Sequence, residues 1–264
     1  MARTRSLGEL LAAVERRILH SQAGEAGDAD EARATEPAPC VLPPGHDCMG
    51  GWHLRPDGGW GTAYGRCPRW QARRAETAAR EVAGEQTFES FEGLREPAAF
   101  QAARAWVAAG RAGSGTLALL RPEALDTNTG CGKTHLLRAA ARELVRGGRQ
   151  VELATALALT AVMRGRGLYD NAERSEADLV ARRWSQADVL LLDDLGQEES
   201  AGPATAGFLV GLLDQREGRP LGWSTNLSES GLRRRYGAPL VSRLLSGALT
   251  PVLLGRDYRL KPSS

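Results

Sequence analysis

One stretch limits what this chain can fold into: Thr127-Asn128-Thr129-Gly130-Cys131-Gly132-Lys133-Thr134-His135. Gly130 and Gly132 let the backbone turn its N–H groups toward one point, Lys133 adds a mobile positive charge, and the Thr134 hydroxyl suits Mg²⁺. A helix expected to open at His135-Leu136-Leu137 contributes the positive end of its dipole. Thr129, Gly130, Cys131, Gly132, Lys133, Thr134 and His135 are therefore candidates for gripping a phosphate chain. The cation usage agrees. Positive charge is carried almost wholly by arginine, and of the two lysines, Lys133 and Lys261, one stands where a phosphate loop requires it. In the pattern G-x-x-x-x-G-K-[ST] the first glycine falls at position 127, where this chain has Thr127. The plain alternative is a glycine-rich turn ahead of a helix.

At 264 residues, 42% of them hydrophobic, the chain can bury one substantial core and a smaller appendage. No apolar run reaches membrane-spanning length, and Met1-Ala2-Arg3 leads into an amphipathic segment rather than a secretory one. A cytoplasmic protein with no membrane partner is expected. A net charge of +2 does not announce a nucleic-acid binder. Arg164-Gly165-Arg166 and Arg233-Arg234-Arg235 are basic enough to touch phosphates, although a solvated face is the default for either run. Four cysteines in a cytoplasmic chain argue against a disulfide framework.

The front of the chain divides by composition. Residues 1–20 open with a capping box, Ser6-Leu7-Gly8-Glu9, and continue with Leu10, Leu11, Val14 and Ile18 at helical spacing. Residues 21–39 are Ala, Glu, Asp, Gly and Pro with almost no large apolar side chain, a flexible linker. Residues 40–70 set cysteine and histidine among Gly, Pro and Trp. Cys40, His46, Cys48 and Cys67, with His53 as a substitute, form a candidate Zn²⁺ ligand set for a segment too short to build a core. The alternative is reduced cysteines in an irregular loop, since no Cys-x-x-Cys pair is present. A charged connecting helix is expected over 71–86, and a new unit starts at Thr87-Phe88-Glu89-Ser90-Phe91 and runs from 87 to 264.

Within that unit, Pro97 opens a helix closed by Gly110. Short apolar runs then appear at 116–120, 151–154, 189–192, 221–224 and 252–254, separated by helical periods near 135–146, 156–164, 176–184, 203–216 and 239–246. Buried parallel strands with crossover helices give this rhythm, an α/β fold whose ligands lie beyond the carboxyl ends of the strands. Val189-Leu190-Leu191-Leu192-Asp193-Asp194 delivers two carboxylates to such an end, about 60 residues past the phosphate loop. Asp193 is expected in the Mg²⁺ shell and Asp194 at the attacking water, the division of a Walker B pair. Asn226, at the end of the next strand, is placed either to bond the γ-phosphate or its water, or to cap a short helix at 228–234. Arg243 and Arg259 offer guanidinium groups suited to phosphoryl transfer.

In order, Gly130-x-Gly132-Lys133-Thr134-His135-Leu136, Leu191-Leu192-Asp193-Asp194-Leu195-Gly196, Ser224-Thr225-Asn226-Leu227-Ser228, Tyr236-Gly237 with Ser242-Arg243-Leu244, and Gly255-Arg256-Asp257-Tyr258-Arg259 resemble the successive signatures of the AAA+ helicase loaders of the DnaC/DnaI type, in the IstB-like ATP-binding superfamily. The similarity covers roughly 87–261. It implies an AAA+ P-loop NTPase with a central parallel sheet flanked by helices, preceded by a small helix and a zinc-binding module that grips the helicase. It further implies slow ATP hydrolysis with Mg²⁺, self-association that puts the nucleotide between subunits, and a replicative DNA helicase hexamer and single-stranded DNA as partners. Such a protein joins the nucleoid when acting in replication initiation or restart. By the resemblance Asn226 is sensor 1, Arg243 the arginine finger and Arg259 the sensor 2 residue. An IstB-like transposition helper and a nucleotide-binding scaffold with little hydrolysis are the alternatives. Three departures stand out: Thr127 in the loop, with a connection from Leu120 to Gly132 longer than the family's usual step; Asp194 where many AAA+ enzymes have glutamate; and zinc ligands that are not in the expected pairs.

Overall fold

The computed structural model describes residues 48–49, 52–55, 63–66, 68–91, 96–125, 130–167, 171–198 and 203–253. The expected helix at 1–20 and linker at 21–39 lie outside the described residues. At the front, β1 (Cys48–Met49), β2 (Trp52–Arg55) and β3 (Ala63–Arg66) form an antiparallel sheet in sequence order, with Cys48 opposite His53. Helix α1 (Pro68–Ala83) follows. It is no free tether: Ala79 and Ala83 are buried, and Glu76 pairs with Arg142 and Arg146 of the phosphate-loop helix.

The main sheet arises because four apolar runs are long enough to be buried on both faces. After α2 (Pro97–Arg111) come β4 (Thr116–Leu119), α3 (Lys133–Arg146), β5 (Val151–Thr155), α4 (Ala156–Arg166), α5 (Asn171–Gln186) and β6 (Val189–Leu195). The chain continues through α6 (Pro203–Gln215), β7 (Leu221–Thr225), α7 (Glu229–Tyr236), α8 (Ala238–Leu245) and β8 (Ala248–Leu249). The strands lie in the order β5-β6-β7-β4-β8, every pairing parallel. Alternation along each strand feeds two cores. Leu117, Leu119, Val189 and Leu191 join α1, α2 and α3, whereas Ala118, Leu120, Leu190 and Leu192 join α4 through α8. The result is a three-layer α/β/α domain. Among the described residues no helix is long and apolar enough to cross a membrane.

The last strand is not at 252–254. Ala248 and Leu249 instead pair with Thr116 and Leu117 directly after α8, the turn being made at Gly247 with φ 62°. Pro251 has no N–H to extend the ladder, and Leu253 packs into the core beside α2 and α3. Helix α2 also runs one residue past Gly110, to Arg111. A buried arginine joins the far elements: Arg216 donates to the carbonyls of Trp184 at 2.7 Å, Ala187 at 2.8 Å and Pro220 at 3.1 Å. Burial, and then the neighbouring Arg219, lower its pKa to about 10, so it still carries charge at neutral pH and serves the carbonyls that end α5.

The long step between β4 and the phosphate loop is anchored at its start. The Arg121 N–H donates to the Leu227 carbonyl at 3.1 Å, and Glu123 accepts the Ser230 N–H at 2.7 Å and its hydroxyl at 2.9 Å. Glu123 thereby satisfies a first-turn donor of α7, while the Ser228 hydroxyl accepts the Gly231 N–H.

A Cβ on Gly222 would stand 2.7 Å from Leu191 Cδ2, 2.9 Å from Leu137 Cδ1 and 3.0 Å from Trp106 Cη2. Gly222→Ala should therefore lower stability by about 1–3 kcal/mol through overpacking, read as a lower urea midpoint by tryptophan fluorescence; an unchanged midpoint contradicts the packing. The backbone N–H and then the hydroxyl of Ser230 hold the Glu123 carboxyl below its ordinary 4.5. The contribution of this cap is then fully present above that value and is lost as pH falls through the depressed one. Relative to the intrinsic exchange rate at each pH, the protection of the Ser230 and Gly231 amides should fall on acidification in the wild type, and Glu123→Gln should remove that step.

Candidate nucleotide site

The carboxyl ends of β4, β6 and β7 lie side by side, so the phosphate loop, the two aspartates and Asn226 arrive at one edge of the sheet. Gly132 caps α3 with φ 92°, and a Cβ there would fall 2.6 Å from Phe91 Cε2, so the turn needs glycine for conformation and for space. Gly130 is likewise left-handed, at φ 67°. No side chain caps α3 and its first turn holds no acidic residue, which leaves its amino end and Lys133 as a positive end. Lys133 is only 5% exposed, with Nζ 3.4 Å from Cys131 Sγ. Cys131 itself belongs to the core beneath the loop. His135 turns away toward the 87–91 segment, its Nε2 lying 2.8 Å from the Thr87 carbonyl and 3.2 Å from Ser90 Oγ, its ring beside Phe91. Thr129 and Thr127 lie outside the described residues.

Asp193 is the meeting point. It is 2% exposed, and its Oδ1 accepts the Thr134 hydroxyl at 3.0 Å and the Ser224 hydroxyl at 2.6 Å. Its Oδ2 is 3.9 Å from Arg138 Nε, an ion pair beyond hydrogen-bond length. A hydroxyl and a carboxylate beside a helix amino end are hard oxygen donors that suit Mg²⁺ shared with phosphate oxygens, so Thr134 and Asp193 fit the cation expected there. Asp194 is the one non-glycine with positive φ among the described residues, at 59°. Ladder register shifts between Leu192 and Leu195, and the Asp194 N–H donates to Ser224 Oγ at 3.0 Å. Such a conformation costs about 1–3 kcal/mol and is characteristic of functional turns.

The remaining candidates fall in three groups. Asn226 directly follows β7 at the same edge, and Ser228 rather than Asn226 caps α7. Arg243 is at the opposite edge: its Nε donates to Asp214 Oδ1 at 2.7 Å in a groove of about 620 Å³ that includes the starts of β4 and β7, Thr116 and Leu221. Lys133 and Arg243 therefore do not meet within the chain. Arg259, Cys40, His46 and Cys67 lie outside the described residues, and of Cys48 the structure describes only its place in β1. Among the described residues no cluster of three metal-ligating side chains occurs. The basic runs are engaged within the chain, Arg166 with Asp178, Arg233 with Glu229 and Arg235 with Glu198.

Ser224 and Arg138 were not singled out from the sequence. Ser224 has a signal in hindsight: on a strand buried along its length, a hydroxyl one residue before the end must find a partner in the neighbouring strand. Arg138 has none, since an arginine on an arginine-rich helix looks like any other.

No protein-family model matches the sequence, and no curated protein matches it. Solved structures do. A DnaI structure aligns over 68% of this chain and 93% of its own at 20% identity, with a TM-score of 0.51. The DnaC helicase loader aligns over 64% and 96% at 19% identity, TM-score 0.51. The replication initiator DnaA, bound to AMPPCP and single-stranded DNA, aligns over 64% and 50% at 20% identity, TM-score 0.51. This chain spans about half the length of the DnaA chain and of a DNA replication initiation factor that it also matches. The parallel sheet with helices on both faces thus has the fold of these DnaI, DnaC and DnaA structures.

Proposed function

We propose that this protein is a nucleotide-switched helicase loader, an ATPase that engages a replicative DNA helicase and helps place it on single-stranded DNA. The observation that carries the nucleotide part is the Thr134–Asp193–Ser224 junction beside Lys133 at the head of α3. Support for the loader part comes from the fold shared with DnaI and the DnaC helicase loader, together with the five signatures in order.

In this reading Gly130, Cys131 and Gly132 present backbone N–H groups to the triphosphate, with Thr129 ahead of them, and Lys133 follows the charge of the transferred phosphoryl group. Mg²⁺, when bound, neutralises charge on the phosphate oxygens, and Thr134 and Asp193 would hold it. Asp194 orients the water and takes its proton, Asn226 fixes the γ-phosphate or that water, and His135 serves by fastening the loop helix to residues 87–91. Arg243 cannot reach its own subunit's nucleotide from the opposite edge, so it serves a neighbour's, in an ATP-dependent assembly. An exposed pair such as Arg243–Asp214 is worth about 0.2–1 kcal/mol, which a phosphate can outcompete. Arg259 is proposed as a second sensor. In the front module, Cys40, His46, Cys48 and Cys67 are the proposed Zn²⁺ ligands, and the opposition of Cys48 and His53 across β1 and β2 keeps His53 as the substitute.

The test uses the full chain with the replicative helicase of its host and a fluorescent single-stranded oligonucleotide, with and without ATP. Lys133→Ala should lose ATP-dependent association with the oligonucleotide by at least about tenfold, while capture of helicase by the front module persists. If the variant loads helicase as well as the wild type, the nucleotide switch is wrong.

A further inference from the structure

Beyond the carboxylates at the strand end lies a buried one that the hydrolytic reading leaves unused. Glu198 is 4% exposed and sits just past the turn that follows β6. Its oxygens accept the Gly196 N–H at 3.2 and 3.1 Å. Oε2 also accepts the Tyr236 hydroxyl, with Arg235 Nη2 3.6 Å away, and the Glu198 carbonyl accepts from that same guanidinium at 2.5 Å. Tyr236 and Arg235 form the last turn of α7, the helix that starts three residues after Asn226.

The two strand-end turns are in contact along a seam. Gly196 has φ 99°, and a Cβ there would stand 2.6 Å from Leu227 Cδ1. The Thr225 hydroxyl donates to the Leu195 carbonyl and accepts the Leu227 N–H at 3.1 Å. The Gln197 N–H closes onto the Asp194 carbonyl at 3.1 Å. Asp194 thus lies at one end of a short turn whose other end is held by Glu198, and Asn226 lies between two residues stitched to that turn. Burial, and then the Glu198 carboxylate, push the Tyr236 phenol above its ordinary 10.0, so it remains an O–H donor through the neutral range.

We propose that Glu198 is a positioning residue for ATP hydrolysis, locking the Asp194 turn against α7 and so fixing Asp194 relative to Asn226. This rests on the nucleotide-site reading above. Glu198 does not touch the nucleotide; it acts through the Gly196 N–H on one side and Tyr236 on the other. A carboxylate that merely stiffened the fold would lower nucleotide affinity and turnover together when removed, whereas a positioning group lowers turnover alone.

The experiment measures steady-state ATP hydrolysis and fluorescent-nucleotide affinity on the full chain, for the wild type, Glu198→Ala, Glu198→Gln and Tyr236→Phe. Glu198→Ala should lose about tenfold or more in kcat while its nucleotide Kd stays within about threefold. Glu198→Gln, whose amide oxygen still accepts from Gly196 and Tyr236, should recover most of the loss, and Tyr236→Phe should fall between. Should Glu198→Ala not fold, Tyr236→Phe carries the test by the same split. A hydrolysing wild type with unchanged kcat in Glu198→Ala and Tyr236→Phe, or with kcat and affinity falling in parallel, overturns this proposal alone. A wild type that does not hydrolyse ATP overturns the ATPase reading and this proposal with it.

Discussion

The structure depends on one oxygen. Asp193 Oδ1 takes a hydroxyl from Thr134 on α3 and another from Ser224 on β7, and Asp193 itself ends the apolar part of β6. A carboxylate this deeply buried costs several kcal/mol in lost hydration unless it is compensated. Hydrogen bonds to a charged group are worth about 1.5–3 kcal/mol each, so two of them offset much of that cost. The same bonds fix the phosphate-loop helix against two strands. Local stability and the placing of a candidate cation site are therefore one interaction.

Strain is the counterpart of that economy. Directly after Asp193 the ladder slips beyond Leu192 and the Asp194 backbone turns left-handed, a conformation costly for a residue with a Cβ. The turn is held by Ser224 on its amino side and by Gly196, Leu227 and Glu198 beyond it. Because so many contacts converge, an unfavourable conformation persists beside the buried carboxylate of Asp193. Arg243 follows the opposite logic. At the far edge it is exposed, paired with Asp214 and bonded to the Pro239 carbonyl, contacts that each contribute little.

The sequence was most legible where burial follows a simple period. Four apolar runs marked four strands because each is covered on both faces, and Gly132-Lys133-Thr134 fell at the helix start where glycine geometry and charge demand it. Asp193 was legible for the same reason, as the first charge after a buried run. The last strand was misplaced because Val252 and Leu253 look more strand-like than Ala248 and Leu249, and only the turn at Gly247 decides which pair meets β4. Contacts such as Glu198 with Tyr236 or Glu123 with Ser230 join residues far apart through single side chains, and no local pattern announces them. His135 shows the converse: the motif placed it in the loop, yet its ring serves the packing of residues 87–91.

The central claim is that Lys133, Thr134 and Asp193 hold one nucleotide with one divalent cation. The most direct measurement is a crystal structure of the chain with a non-hydrolysable ATP analogue and Mn²⁺, the cation located by its anomalous signal. The account predicts a peak in contact with Thr134 Oγ1 and adjacent to Asp193, with the terminal phosphates at the amino end of α3. Nucleotide density elsewhere, or a peak away from both residues, would contradict it.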